Sequence, residues 1–179
     1  RRQRQMCIET GLEGLPDGTD DFEKAKYIYD ALILRTEYEQ GSADSQTICS
    51  VLLNQRSVCQ GYAKTFQYLC QLAGIPAMLV TGDVNGEGHA WNIVFLDGDW
   101  YYIDPTWGDA SYQREEGEET PALTETVNYD YFCVTTQEIE RTHSMDDNQL
   151  LPVCNAVQDQ YYRHEGLYLQ LLLYTSDAA

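Results

Sequence analysis

The stretch Ser57-Val58-Cys59-Gln60-Gly61-Tyr62-Ala63 sets a cysteine directly ahead of an apolar helical stripe. Tyr62, Phe66, Leu69, Cys70 and Ala73 recur at helical spacing, which predicts a helix over 60–73. Gly74 stands where a left-handed C-cap belongs, and Pro76 follows just beyond. Cys59 therefore opens a largely buried helix. The unpaired N–H groups and the dipole at that end favour a thiolate over a thiol.

Downstream, residues 77–81 read as a strand and residues 82–88 as a glycine-rich, acidic loop. From His89 to Leu96 the chain alternates, with His89, Trp91, Ile93 and Phe95 on one face. Asp97-Gly98 is a hairpin signal, and residues 99–104 form the return strand. With a two-residue turn, Leu96 faces Asp99 and Trp91 faces Asp104. Asp104 then shares a face with His89 as its diagonal neighbour, roughly 7–8 Å away at the backbone. A slip of one residue would send the carboxylate to the other face.

A thiol, an imidazole and a carboxylate thus arrive in order, each in a distinct local setting. Singly, each has an ordinary structural role; together they match a nucleophile, a general base and a group that orients the base. Cys59 would attack an acyl carbon as thiolate. His89 would take its proton and later protonate the leaving amine, and Asp104 would hold the ring. The backbone N–H of Cys59 is the natural first donor to a tetrahedral oxyanion. Gln46, with Gln55 behind it, is the candidate side-chain donor, set against a plain surface glutamine. Tyr62, Trp91 and Trp107 either wall the cleft or belong to the core. His143 and His164 have no partner pattern and read as surface or structural residues.

The rest of the chain frames this core. Residues 1–18 read as irregular, residues 19–174 as a single domain, and residues 175–179 as a polar tail. Thr19 or Asp20 caps a helix over 21–36, with Glu23 as the capping-box partner of Asp20. A short helix is expected over 47–53, a solvated acidic loop over 110–126, a strand over 129–135 and a helical turn over 137–142. Residues 167–174 fit a strand or a helix equally. The net charge of −18, with only eleven Lys and Arg, argues against a nucleic-acid partner. No apolar run reaches membrane-spanning length, and residues 1–5, with no apolar stretch behind them, do not read as a signal peptide. The six cysteines contain no Cys-x-x-Cys pair, so a structural zinc site is not expected, and no cofactor is implied. Most read as small buried hydrophobes, with room for one disulfide.

The segments Val58-Cys59-Gln60-Gly61-Tyr62-Ala63, Gly74-Ile75-Pro76, Gly88-His89-Ala90-Trp91-Asn92 and Asp104-Pro105-Thr106-Trp107 together resemble the transglutaminase-like superfamily, specifically its bacterial members. The likeness covers residues 27–108. It implies an α+β, papain-like fold with the nucleophile helix packed on an antiparallel sheet, and Cys59, His89 and Asp104 as the triad. The family includes cross-linking enzymes, peptidases, amidases and inactive interaction modules. A cysteine-dependent acyl transfer on peptide or protein amides is therefore expected, with hydrolysis slightly favoured. The alternatives are a non-catalytic protein- or cell-wall-binding module and an arylamine-type acyltransferase. Many bacterial members are secreted, so an extracellular or cell-surface site is expected.

Overall fold

The computed structural model describes residues 12, 14–16, 18–41, 44–109 and 127–167. The expected acidic loop over 110–126, the tail over 175–179 and all but Leu167 of the segment 167–174 lie outside them, as does most of the N-terminal segment.

Helix α1, Asp21–Arg35, starts where Asp20 accepts the Glu23 N–H at 2.8 Å. It buries Phe22, Ala25, Ile28, Tyr29, Leu32 and Ile33, the face its periodicity marked. Strand β1 (Glu37–Tyr38) then pairs in parallel with β2 (Arg56–Ser57), and α2 (Ile48–Asn54) lies between them in sequence, capped by Thr47. Helix α3, Cys59–Leu72, follows directly. It ends in a Schellman motif: Gly74 has φ +84°, the Ile75 N–H donates to the Cys70 carbonyl at 2.8 Å, and the Gly74 N–H donates to Gln71.

Four antiparallel strands form the main sheet: β3 (Ala77–Val84), β4 (Glu87–Leu96), β5 (Asp99–Ile103) and β6 (His143–Met145), in the order β5-β4-β3-β6. The β4–β5 hairpin has the expected register, with Leu96 opposite Asp99 and Asn92 opposite Ile103. Its turn residues, Asp97 and Gly98, both have positive φ, as a type I′ turn requires. The expected loop over 82–88 is mostly strand instead. A second two-residue turn at Asn85-Gly86 lets the ladder run on until Val84 faces Glu87. Gly82 is needed in that ladder because a Cβ there would strike the Ser144 carbonyl and the Trp91 ring.

The strand expected over 129–135 is not one. Its backbone turns, with Cys133 at φ +57° and the Phe132 N–H bonded to the Tyr129 carbonyl. Its backbone bonds to this edge, among the described residues, are a Tyr102–Val134 bridge to β5 and the Asp104 N–H to Tyr131 carbonyl bond just past it. The apolar run reflects burial of Phe132 and Cys133, which a turn satisfies as well as a strand. Downstream come two single-turn helices, α5 (Thr136–Ile139), with a complete Thr135/Glu138 capping box, and α6 (Tyr161–His164).

The sheet separates two apolar clusters. Val94 and Leu96 of β4 join α1 and α3, whereas Trp91 and Ile93 join Val80, Tyr102, Val134, Ile139 and Cys154. Asn92 ties the helix to the sheet, its buried amide donating to the Ala63 carbonyl at 3.0 Å. Cys70, Cys133 and Cys154 are buried free thiols, Cys49 is exposed, and none of the described cysteines is in a disulfide. No described helix is long and apolar enough to cross a membrane.

Candidate active site

Three devices hold Cys59 at the tip of α3. Val58 is extended, so the helix begins abruptly at Cys59. The Val58 N–H donates to the Ser45 carbonyl, and the Ser57 hydroxyl lies 2.6 Å from the same oxygen and 2.7 Å from the Ser50 hydroxyl. Gly61 packs against this cluster so tightly that a Cβ would collide with the Ser57 hydroxyl and the Ser45 carbonyl. The first-turn N–H groups of a helix have no intrahelical acceptor, so the tip offers donors beside a half-buried cysteine.

His89 lies near the start of β4, 8% exposed, and its Nε2 is 2.7 Å from Asp104 Oδ2. Asp104 is fully buried and serves two elements at once. Its Oδ1 accepts the Thr106 and Trp107 N–H groups at 2.9 and 3.2 Å, capping the single-turn helix α4 (Pro105–Gly108). Its Oδ2 faces the histidine. Burial alone would lower the proton affinity of His89. The Asp104 carboxylate and hydrogen bond outweigh it, with a hydrogen bond and charge from Cys59 adding to the lift, and push the ring up to about 10. Burial likewise opposes ionisation of Asp104, but the two imidazoles hold it down at about 2. The ring thus binds the carboxylate, as the hairpin register anticipated, and the Cys59 thiol adds to its hold on the proton.

The second imidazole is His143 of β6, expected to be a surface or structural residue without a partner. It is buried, and its Nε2 lies 3.0 Å from the same Asp104 Oδ2. No pattern near residue 143 announces this. β6 lies 39 positions beyond Asp104 and reaches the site only by pairing with the far edge of β3. His164, in contrast, stacks on Phe22 at a ring distance of 3.6 Å, in a packing role.

Of the remaining candidates, the two tryptophans lie against the imidazoles and the others lie elsewhere. Gln46 is exposed in the turn before α2, and its backbone carbonyl accepts from Lys64. Gln55 is the exposed, left-handed C-cap of α2, and its carbonyl serves Glu37. Tyr62 is fully buried in the helix-side core, with its hydroxyl 2.8 Å from the Thr36 carbonyl and 3.0 Å from Asp109. Trp91 is also fully buried and stacks on His89 at 5.9 Å. Trp107 is half-buried and packs on Tyr131 and His143. Trp91 and Trp107 each bury an indole N–H that meets no acceptor among the described residues. A cavity of about 290 Å³ lies next door, lined by Tyr129, Tyr131, Arg141 and Tyr161 among others; it shares the Tyr131 wall but contains none of Cys59, His89 and Asp104.

His89, Asp104 and His143 bring three potential metal-ligand atoms within 4.8 Å of one another. Their 2.7 and 3.0 Å contacts are hydrogen-bond lengths, and a cation would have to displace both protons. We read them as a hydrogen-bonded network, not a metal site.

A family model described as the transglutaminase-like superfamily matches residues 13–105, the span from the start of the fold to the carboxylate. The chain belongs to the transglutaminase-like superfamily. Kyphoscoliosis peptidase of Homo sapiens is 32% identical over 126 aligned residues, covering 58% of this chain and 19% of that protein. The Mus musculus protein of the same name is 30% identical with the same coverage. The chain therefore spans about a fifth of the length of these curated relatives. A solved structure described as a TGase has a TM-score of 0.50 at 20% identity, covering 69% of this chain and 34% of its own, a likeness of fold. The curated relatives are mammalian, whereas the motif reading leaned on bacterial members; the superfamily is the same. The matched span runs from before α1 to Pro105, the first residue of α4, and His143 lies outside it.

Proposed function

We propose that this chain is a cysteine-dependent enzyme that cleaves amide bonds of peptides or proteins through a thioester on Cys59. The observation that carries the reading is His89, held 2.7 Å from a fully buried carboxylate, with the Cys59 thiol at the tip of α3 adding to the lift in its proton affinity. In this mechanism Cys59 reacts as thiolate beside the His89 imidazolium. The sulfur attacks the carbonyl carbon, and the oxyanion is received by the Cys59 N–H at the helix tip. His89 donates its proton to the leaving amine, and the C–N bond breaks to give the thioester and a free amine. Water then attacks, with His89 taking its proton, and the thiolate leaves. An amine attacking in place of water would give transamidation. The name peptidase borne by the human and mouse relatives supports the hydrolytic branch.

Iodoacetamide at mildly acidic pH tests the reading. Fast, selective alkylation of Cys59 over the exposed Cys49 is expected; equal, slow labelling of both would favour a binding module. A peptide-library screen on the labelled and unlabelled protein then separates cleavage from amine incorporation.

A further inference from the structure

We propose that His143 is a positioning residue for the His89–Asp104 pair: it donates its Nε2–H to the oxygen that holds His89, fixing the carboxylate and limiting its grip on the imidazolium. This rests on the reading of His89 as the base.

The carboxylate is fully subscribed. Oδ1 receives two backbone N–H groups, and Oδ2 is shared by the two imidazoles at 2.7 and 3.0 Å. An ionised carboxylate has about four lone-pair directions, so no site is left for water. The role of the His143 ring follows from its neighbours. Asp104 only accepts, so Nε2 must carry the proton. Nδ1 lies 2.7 Å from the Thr142 hydroxyl, which can donate to it. The same hydroxyl also lies 3.4 Å from the Ile139 carbonyl, so the acceptor-only Asp104 carboxylate is what selects the Nε2–H tautomer, and the hydroxyl is compatible with it. Aromatic rings fix the imidazole plane: Trp91 at 4.9 Å, Trp107 at 5.1 Å, Tyr131 at 5.7 Å and His89 at 5.6 Å. His143 therefore cannot swing away without opening this box.

The consequence concerns the proton on His89. A carboxylate that meets a single imidazolium concentrates its charge there. A second donor on the same oxygen spreads that charge and lets the base release its proton more readily, which a general base needs. Among the described residues, the titratable groups facing His143 are His89 from β4, Asp104 at the β5–α4 junction and Tyr131 from the 127–135 segment. From β3, Asp83 pairs with Ser144 and Val84 with His143.

The test is proton and nitrogen NMR of the histidine rings in the intact chain. In His143→Phe, which keeps a ring but removes the donor, the His89 ring should titrate higher by about one pH unit, a tenfold tighter hold on its proton. The hydrogen-bonded His89 Nε2 proton should shift as well. In His143→Gln, whose amide can donate from about the same reach, both should return toward the wild-type values. If the folded Phe variant titrates as wild type does, or if Gln behaves as Phe does, the proposal is overturned and His143 only packs. Should His143→Phe fail to fold, Thr142→Val removes the hydroxyl that faces His143 Nδ1 and should move His89 the same way by less; no movement overturns the proposal. Iodoacetamide reactivity of wild-type Cys59 judges the enzyme reading separately, because the ring titrations need no active nucleophile.

Discussion

Asp104 is the residue on which the local chemistry turns. It caps a helix with one oxygen and binds two imidazoles with the other, entirely out of water. Replacing it with Asn keeps the shape but removes the charge. A stability loss of about 2–3 kcal/mol in urea denaturation is expected, typical of a hydrogen bond to a charged group. Fast alkylation of Cys59 at mildly acidic pH should vanish with it, because His89 loses the partner that keeps it protonated. The same pair sets a pH window for stability. His89 is raised on folding from 6.5 to about 10, so its contribution is complete below 6.5 and fades as pH rises through 10. Asp104 is lowered from 3.8 to about 2, so its contribution is complete above 3.8 and fades as pH falls through 2. These describe one interaction seen from its two partners. Thermal melts should therefore hold a plateau of this contribution between about pH 4 and 6.5; Asp104→Asn should flatten the alkaline decline, and an unchanged decline would place its origin elsewhere.

At the level of elements, the decisive feature is the clamp that begins α3. Gly61 has no room for a side chain, whereas Gly74 has open space around it but a left-handed backbone. The two alanine substitutions separate crowding from strain. Gly61→Ala should cost about 2–3 kcal/mol by overpacking and displace the helix start, slowing Cys59 alkylation. Gly74→Ala should cost about 1 kcal/mol through its φ alone and leave alkylation intact. Equal effects of both on the thiol would refute the clamp. Helix α3 and the β4–β5 hairpin were legible in sequence because each carries its own signal: a 3.6-residue stripe ended by Gly74, and an alternating strand closed by Asp97-Gly98. The segment 129–135 misled because a buried aromatic run has the same composition whether it extends or turns. The loop assigned to 82–88 misled because Gly82 marks a close strand contact, not a break in pairing.

On the scale of the whole molecule, a net charge of −18 spreads mutual repulsion over a small fold. Raising NaCl from about 0.01 to 0.2 M shortens the screening length about fourfold and should raise the melting temperature. A fall would mean that the few ion pairs, such as Lys26–Asp30 and Arg56–Glu39, outweigh the repulsion. The sheet order makes the site a product of distant chain: α3 supplies the thiol, adjacent β4 and β5 bring the histidine and carboxylate, and β6 arrives from beyond the 110–126 segment to add His143.

The local settings of Cys59, His89 and Asp104 could be read before any coordinates because they depend on short-range rules: where a helix starts, which face a strand residue takes, and how a two-residue turn sets register. His143 could not, because nothing local links residue 143 to residue 104. Only the pairing of β6 with β3, a contact between segments about sixty residues apart, brings that imidazole to the buried carboxylate. Long-range strand pairing depends on the free energy of the assembled sheet and leaves no periodic trace in the chain that forms it.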